Sequence, residues 1–281
     1  MKSLKNWFLV LSVLSCFGCS SPVHEDGRGC AFVSDSIQYR VEFMSEGCVR
    51  ILSFPEGDTL VTKRLVVDSQ KPAFKDYKWK DTGQQLIFST RELSVAFDKE
   101  DAAFTFQEVS TGKLLLKEKE AKKARHFKRS VTGGEQCLEV TQRFVPTDDE
   151  AIYGLGQYQN GIMNYRGKSV LLLQANMDIV NPFLISTNGY GILWDNYSST
   201  KFEDTKEGYS FTSEVGDASD YYFVYGKNMD EVVAGYRELT GDVPMFGKWV
   251  YGFWQSKERY KSFDELKACL LYTSPSPRDI S

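Results

Sequence analysis

SIQYRVEFMSEGCVRILSF, residues 36–54, decides the fold. Ile37, Tyr39, Val41 and Phe43 alternate with Gln38, Arg40 and Glu42, the period of a strand with one apolar face. After a glycine-containing turn, residues 48–54 repeat the pattern. Further apolar runs follow at short spacing, over 86–88, 93–97, 103–106 and 138–144, separated by charged or glycine-containing turns. Runs at 189–194 and 221–225 complete the series. This density of short strands predicts a mainly β chain, built as a large antiparallel β-sandwich.

The 281 residues carry a net charge of -4, with 14% aromatic side chains. Such a chain has apolar surface for a real core, and its mild acidity gives nucleic acid no clustered basic face. Residues 113–129 are rich in charge, but Glu118 and Glu120 dilute the lysines, so the segment reads as a solvated strand edge and loop. Asp148, Asp149 and Glu150 read as solvated turn residues. One helix is expected, over 229–239, capped by Asn228 with Glu231 three residues on. Val232, Val233, Tyr236 and Leu239 would share its apolar face, and Gly241 and Pro244 end it.

Residues 1–19 read as a targeting segment, with Lys2 and Lys5 before a short apolar stretch. Gly18-Cys19-Ser20-Ser21 resembles a bacterial lipoprotein cleavage site with Cys19 lipidated; Cys16 is a competing match, and plain secretion is the other reading. The expectation is an exported protein, periplasmic or held at the outer membrane of a Gram-negative bacterium by an acyl anchor. Cys30, Cys48, Cys137 and Cys269 have no metal-ligand spacing; a Cys30–Cys48 bridge and buried free thiols are both open. No cofactor is expected. His24 and His126 form no nucleophile–base constellation.

Beyond the helix, residues 241–260 read GDVPMFGKWVYGFWQSKERY, a proline- and glycine-punctuated aromatic run that looks like the first strand of a second domain. The organisation expected is a targeting segment (1–19), a polar linker (20–29), the sandwich (30–240) and the start of a second domain (241–268). The tail, residues 269–281 (CLLYTSPSPRDIS), interrupts a helical pattern begun at 263–268 and resembles the translated read-through of a sequencing adapter.

Three blocks in order resemble glycoside hydrolase family 31, the retaining α-glycosidases. They are IYGLGQ at 152–157 with Asn160-Gly161 and Asn164-Tyr165, NPFLIS at 181–186 with GYGILWDN at 189–196, and WVYGFWQS at 249–256. Residues 156–161 and 255–260 look most like Bacteroidetes α-xylosidase-type members. The resemblance implies an N-terminal sandwich followed by a catalytic (β/α)8 barrel, with residues 250–255 as the first barrel strand. It also implies an oligosaccharide or polysaccharide substrate, approached here by Trp254, Gln255 and Tyr260 at the barrel mouth; a barrel-core aromatic is the other reading of Trp254. Asn176-x-Asp178 resembles the family's sandwich-loop pattern, in which the Asp contacts the sugar; an Asx turn between strands is the plainer reading. Both catalytic carboxylates of the family lie on later barrel strands, so the chain is expected to be inactive alone, with an exposed, aggregation-prone flank. The alternative, from another class, is a non-catalytic carbohydrate-binding β-sandwich lipoprotein; a structural surface lipoprotein is a third.

Overall fold

The computed structural model describes residues 23–57, 65–68, 72–120, 126–254 and 257–273. Cys16, Cys19, Gln255 and residues 274–281 lie outside these. The described chain divides into two compact units, Met1–Gly241 and Asp242–Ser281.

The first unit is almost entirely strand. In order it contains β1 (His24–Glu25), β2 (Cys30–Ser34), β3 (Ile37–Phe43), β4 (Cys48–Pro55), β5 (Lys78–Asp81) and β6 (Gln85–Ser89). Then come β7 (Leu93–Asp98), β8 (Ala103–Glu108), β9 (Leu114–Glu118), β10 (Phe127–Thr132), β11 (Glu135–Val145) and β12 (Ile152–Gln157). The last are β13 (Ser169–Leu172), β14 (Ile179–Ser186), β15 (Tyr190–Trp194), β16 (Thr200–Thr205), β17 (Gly208–Ser213) and β18 (Ser219–Tyr225). One sheet runs β1-β2-β3-β4-β18-β15-β14-β12; the other runs β13-β16-β17-β11-β9-β8-β7-β6-β5, with β10 also paired to β11. The pairing is antiparallel, from Phe43↔Val49 in the opening hairpin to Ile192↔Phe223 near the sheet centre.

The core lies between the sheets, and aromatic rings fill it. Phe106 stacks on Phe223 with centroids 4.2 Å apart, Trp194 on Phe211 at 5.5 Å, and Phe97 meets Tyr39 at 4.8 Å and Phe104 at 5.0 Å. Each such ring, removed from water, contributes about 1.5–3 kcal/mol. Cys30 is buried in this core and Cys48 on the opposite face of its sheet, and neither forms a disulfide. Burial raises the Cys30 thiol to about 11.

The expected half-buried strand over 48–54 is buried on both faces. On the outward side of the same sheet α1 (Met229–Thr240) packs over β14, β15 and β18, with Val232 and Leu239 in one apolar cluster with Phe183, Leu193, Tyr222, Val224 and Cys48 of β4. Tyr236 stacks on Phe183 at 4.3 Å, whereas Val233 is exposed, one step round the helix from the contact stripe. Gly191 permits the close approach, since a Cβ there would lie 2.8 Å from Val232 Cγ1 and 2.6 Å from the Phe183 ring. The Asn228 side chain accepts from the Glu231 N–H at 2.9 Å, as expected of the cap; the Glu231 carboxylate reaches back to the Lys227 N–H, one residue before the N-cap position of a capping box.

A chain of charges crosses the same outward face. Asp26 pairs with Arg40, Arg40 with Glu42, and Glu42 with Arg50, which forks onto Asp220. Arg50 is 2% exposed, so the Arg50 end of this ladder is interior, whereas the Asp26–Arg40 end meets solvent.

The second unit corrects the expectation of a barrel strand over 250–255. Lys248–Tyr251 is a 3-10 turn, closed by Val250 N–H to Gly247 O at 3.0 Å and continued by Gly252 N–H to Trp249 O at 3.1 Å. Among the described residues of this unit there is no strand to pair with, so the backbone satisfies itself locally. α2 (Phe263–Thr273) runs past the point where the helical pattern was expected to fail. Cys269, Leu270 and Tyr272 are tolerated in a helix, and the prolines come only later. None of the described residues of this unit is fully buried.

Candidate functional site

Asn176 and Asp178 fall on the tight turn that enters β14. The Asp178 N–H donates to Ala175 O at 3.3 Å, closing a four-residue turn, and Ala175 and Asp178 form an isolated antiparallel bridge. Met177 sits at φ 70, the left-handed value that the third position of a type II turn demands. Glycine is the usual residue there, and a methionine costs about 1 kcal/mol. Asn176 is exposed and Asp178 half-buried, so both side chains are open to a ligand.

The neighbouring strand explains the glycines of the 152–157 block. β12 is the sheet edge beside β14, with Gly154↔Leu184 and Gly156↔Val180 in register across a bulge. Gly154 (φ 99) and Gly156 (φ 120) have backbones open to glycine alone. A Cβ at Gly156 would stand 2.1 Å from Ile179 O, and one at Gly154 2.5 Å from Phe183 O. These glycines let β12 close onto β14, which brings Gln157 opposite Ile179, the residue after Asp178. Tyr158 donates to Leu155 O at 3.0 Å; its phenol is raised to about 12, first by burial, then by Tyr165 and Asp178 nearby.

Sequence reasoning left Gln174 without a role. Its amide nitrogen donates to Asp178 O at 2.9 Å, and its amide oxygen accepts from the Val180 N–H at 3.2 Å. The side chain thus spans the turn from one side. The only trace in sequence is a Gln four residues before an Asp, which has no fixed meaning.

Trp254 and Tyr260 belong to the second unit. Trp254 is 62% exposed, donates from its indole to Val250 O at 2.8 Å, and lies beside Trp249 with centroids 5.6 Å apart. The Tyr260 hydroxyl donates to Cys269 Sγ at 3.5 Å, and the Lys257 ammonium sits 4.5 Å from its ring centroid.

Two carboxylates that read as solvated are interior. Glu118 accepts from Tyr221 Oη at 2.6 Å, Gln142 Nε2 at 2.8 Å and the Phe104 N–H at 2.8 Å. Burial raises it to about 7, against the pull of the donors. Glu150 accepts from Tyr190 Oη at 2.8 Å and is raised by burial too. Neither reaches solvent, so neither is placed to meet a sugar. His126 is buried and held low by desolvation, with Nδ1 3.0 Å from Thr141 O. No cluster of metal-ligating residues occurs among the described residues.

A two-sheet sandwich with a glycine-pinned edge and a polar turn beside it defines a class of domain. Residues 38–203 match the glycosyl hydrolase 31 N-terminal galactose mutarotase-like domain. The chain belongs to glycosyl hydrolase family 31, and what it holds is that family's N-terminal domain. It is 37% identical over 246 residues to an alpha-xylosidase of Saccharolobus solfataricus, covering 82% of this chain and 32% of that protein. It is 27% identical over 256 residues to alpha-glucosidase 2 of Bacillus thermoamyloliquefaciens, covering 84% of this chain and 30% of that one. The fold is shared with the crystal structure of the family 31 alpha-xylosidase of Xanthomonas citri, at TM-score 0.77 and 24% identity, over 89% of this chain and 43% of that one. The chain thus spans about a third of the length of these curated relatives.

Proposed function

We propose that this chain is the N-terminal module of an exported retaining α-glycosidase, of α-xylosidase or α-glucosidase type, acting on terminal α-linked sugars of oligo- or polysaccharides. The observation that carries the reading is the turn at 175–178, which presents Asn176 and Asp178 to solvent from a sheet edge built by the family's own glycine block. The relatives' names, an alpha-xylosidase foremost, support the substrate class.

In this reading Asp178 accepts hydrogen bonds from two sugar hydroxyls, and Asn176 offers both a donor and an acceptor beside it. By family pattern Trp254, Gln255 and Tyr260 are substrate contacts of the complete enzyme's barrel mouth. The displacement itself needs two carboxylates about 5–5.5 Å apart, one nucleophile and one acid/base. By family pattern both stand on later barrel strands, so the 281-residue chain alone is inactive. Cys19 is the lipidated residue of the mature protein, which sits in the periplasm or at the outer membrane.

The test is Asp178→Ala in the complete enzyme, assayed on a chromogenic aryl α-xyloside and the matching α-glucoside. Loss of charge-assisted hydrogen bonds lowers kcat/KM by roughly 10–100-fold. Unchanged kinetics would remove Asp178 from the sugar.

A further inference from the structure

We infer that Gln174 is a positioning residue for the sugar contact made by Asp178; this rests on the function proposed above. The turn has three reasons to drift. Its tip holds Met177 at a left-handed φ of 70 with no glycine to relieve it. The backbone bond that closes it, Asp178 N–H to Ala175 O, is long at 3.3 Å. The side chains at the tip are exposed, Met177 by 65%, so little packing holds them.

Gln174 supplies hydrogen bonds that hold the turn. It precedes the turn, yet its amide bonds two backbone groups on the far side, Asp178 O and the Val180 N–H. Donor and acceptor leave one planar group, so the two bonds together fix where β14 begins relative to Gln174. Asp178 and Val180 flank Ile179, and both Ile179 and Val180 are paired to the β12 edge. Gln174 therefore ties the Asp178 backbone to the rigid sheet rather than leaving it on a free loop. A sugar-binding carboxylate misplaced by about 1 Å loses much of its effect, so the tie matters for binding and catalysis more than for folding.

The experiment is a double-mutant cycle in the complete enzyme with the aryl α-xyloside, using Gln174→Ala, Asp178→Ala and both together. Amide hydrogen exchange at Val180 is followed alongside. The expected results are a fall in kcat/KM of roughly 3–10-fold for Gln174→Ala with an unchanged Tm, and faster Val180 exchange. The double variant should be no worse than Asp178→Ala alone, because a tie with nothing to position has no further effect. If Asp178→Ala is damaging and Gln174→Ala is silent, the positioning role is overturned and the sugar contact stands. Additive losses in the double variant overturn it as well, since Gln174 would then act by another route. If Asp178→Ala is itself silent, the site reading fails and the positioning role with it.

Discussion

Glu118 is the residue at which burial and hydrogen bonding oppose each other most sharply. Three donors favour its charge, and complete removal from water disfavours it more, leaving the carboxyl at about 7 rather than 4.5. Its folded value is raised, so the folded protein binds the extra proton between these two pH values. Its contribution to stability is therefore full below pH 4.5 and lost as pH rises through about 7, worth roughly 3 kcal/mol in all. Glu150 acts in the same direction, while His126, held low, acts in the opposite one as pH falls. The difference between the wild-type chain and Glu118→Gln isolates the effect. Urea denaturation from pH 4.5 to 7.5 should show a falling stability that is shallower in the variant. Parallel profiles would mean Glu118 does not titrate in this window. The charged run at 113–129 hid this carboxylate, because nothing in a lysine-rich stretch indicates which one side chain of β9 turns inward.

At the scale of elements, the 152–157 block is where sequence and geometry meet most directly. Gly156→Ala forces a Cβ onto Ile179 O and a side chain into a glycine-only φ, a cost of roughly 2–4 kcal/mol that opens the β12–β14 pairing. Gly161, in the same block, has a positive φ but open space, so Gly161→Ala should cost only about 1 kcal/mol. Thermal unfolding of both variants separates clash from strain; equal losses would contradict the close approach. Elements with clean alternation, such as β3, β7 and α1, were legible from residue order alone. β16 (TKFEDT) and β17 (GYSFTS) were not, because among the residues they turn inward Thr200, Asp204 and Ser213 are polar, which blurs the apolar alternation. The run at 248–254 has the residue content of a strand without being one, for a different reason: aromatic content signals burial, but a strand needs a partner, and the described residues of this unit supply none. Gln174 was illegible altogether, since a side chain bonding to backbone four and six residues on leaves no periodic mark.

For the whole molecule, the two units present opposite situations. The sandwich buries its aromatics between two sheets, and Arg50 and its carboxylates are enclosed on the outward face of one of them. The second unit exposes Phe246, Trp249, Tyr251, Phe253 and Trp254. Such a surface suits a segment that other parts of a larger protein cover, and the relatives are about three times as long as this chain. Family 31 membership accounts for the sandwich, which its N-terminal domain pattern matches over residues 38–203. If this sandwich serves a retaining α-glycosidase, as proposed, the first sugar released keeps its anomeric configuration. The most direct measurement is proton NMR of the first sugar released when the complete protein cleaves an α-xyloside, before mutarotation sets in. The account predicts the α-anomer first, from two successive displacements at one carbon. Initial release of the β-anomer, or saturable sugar binding with no release at all, would contradict it.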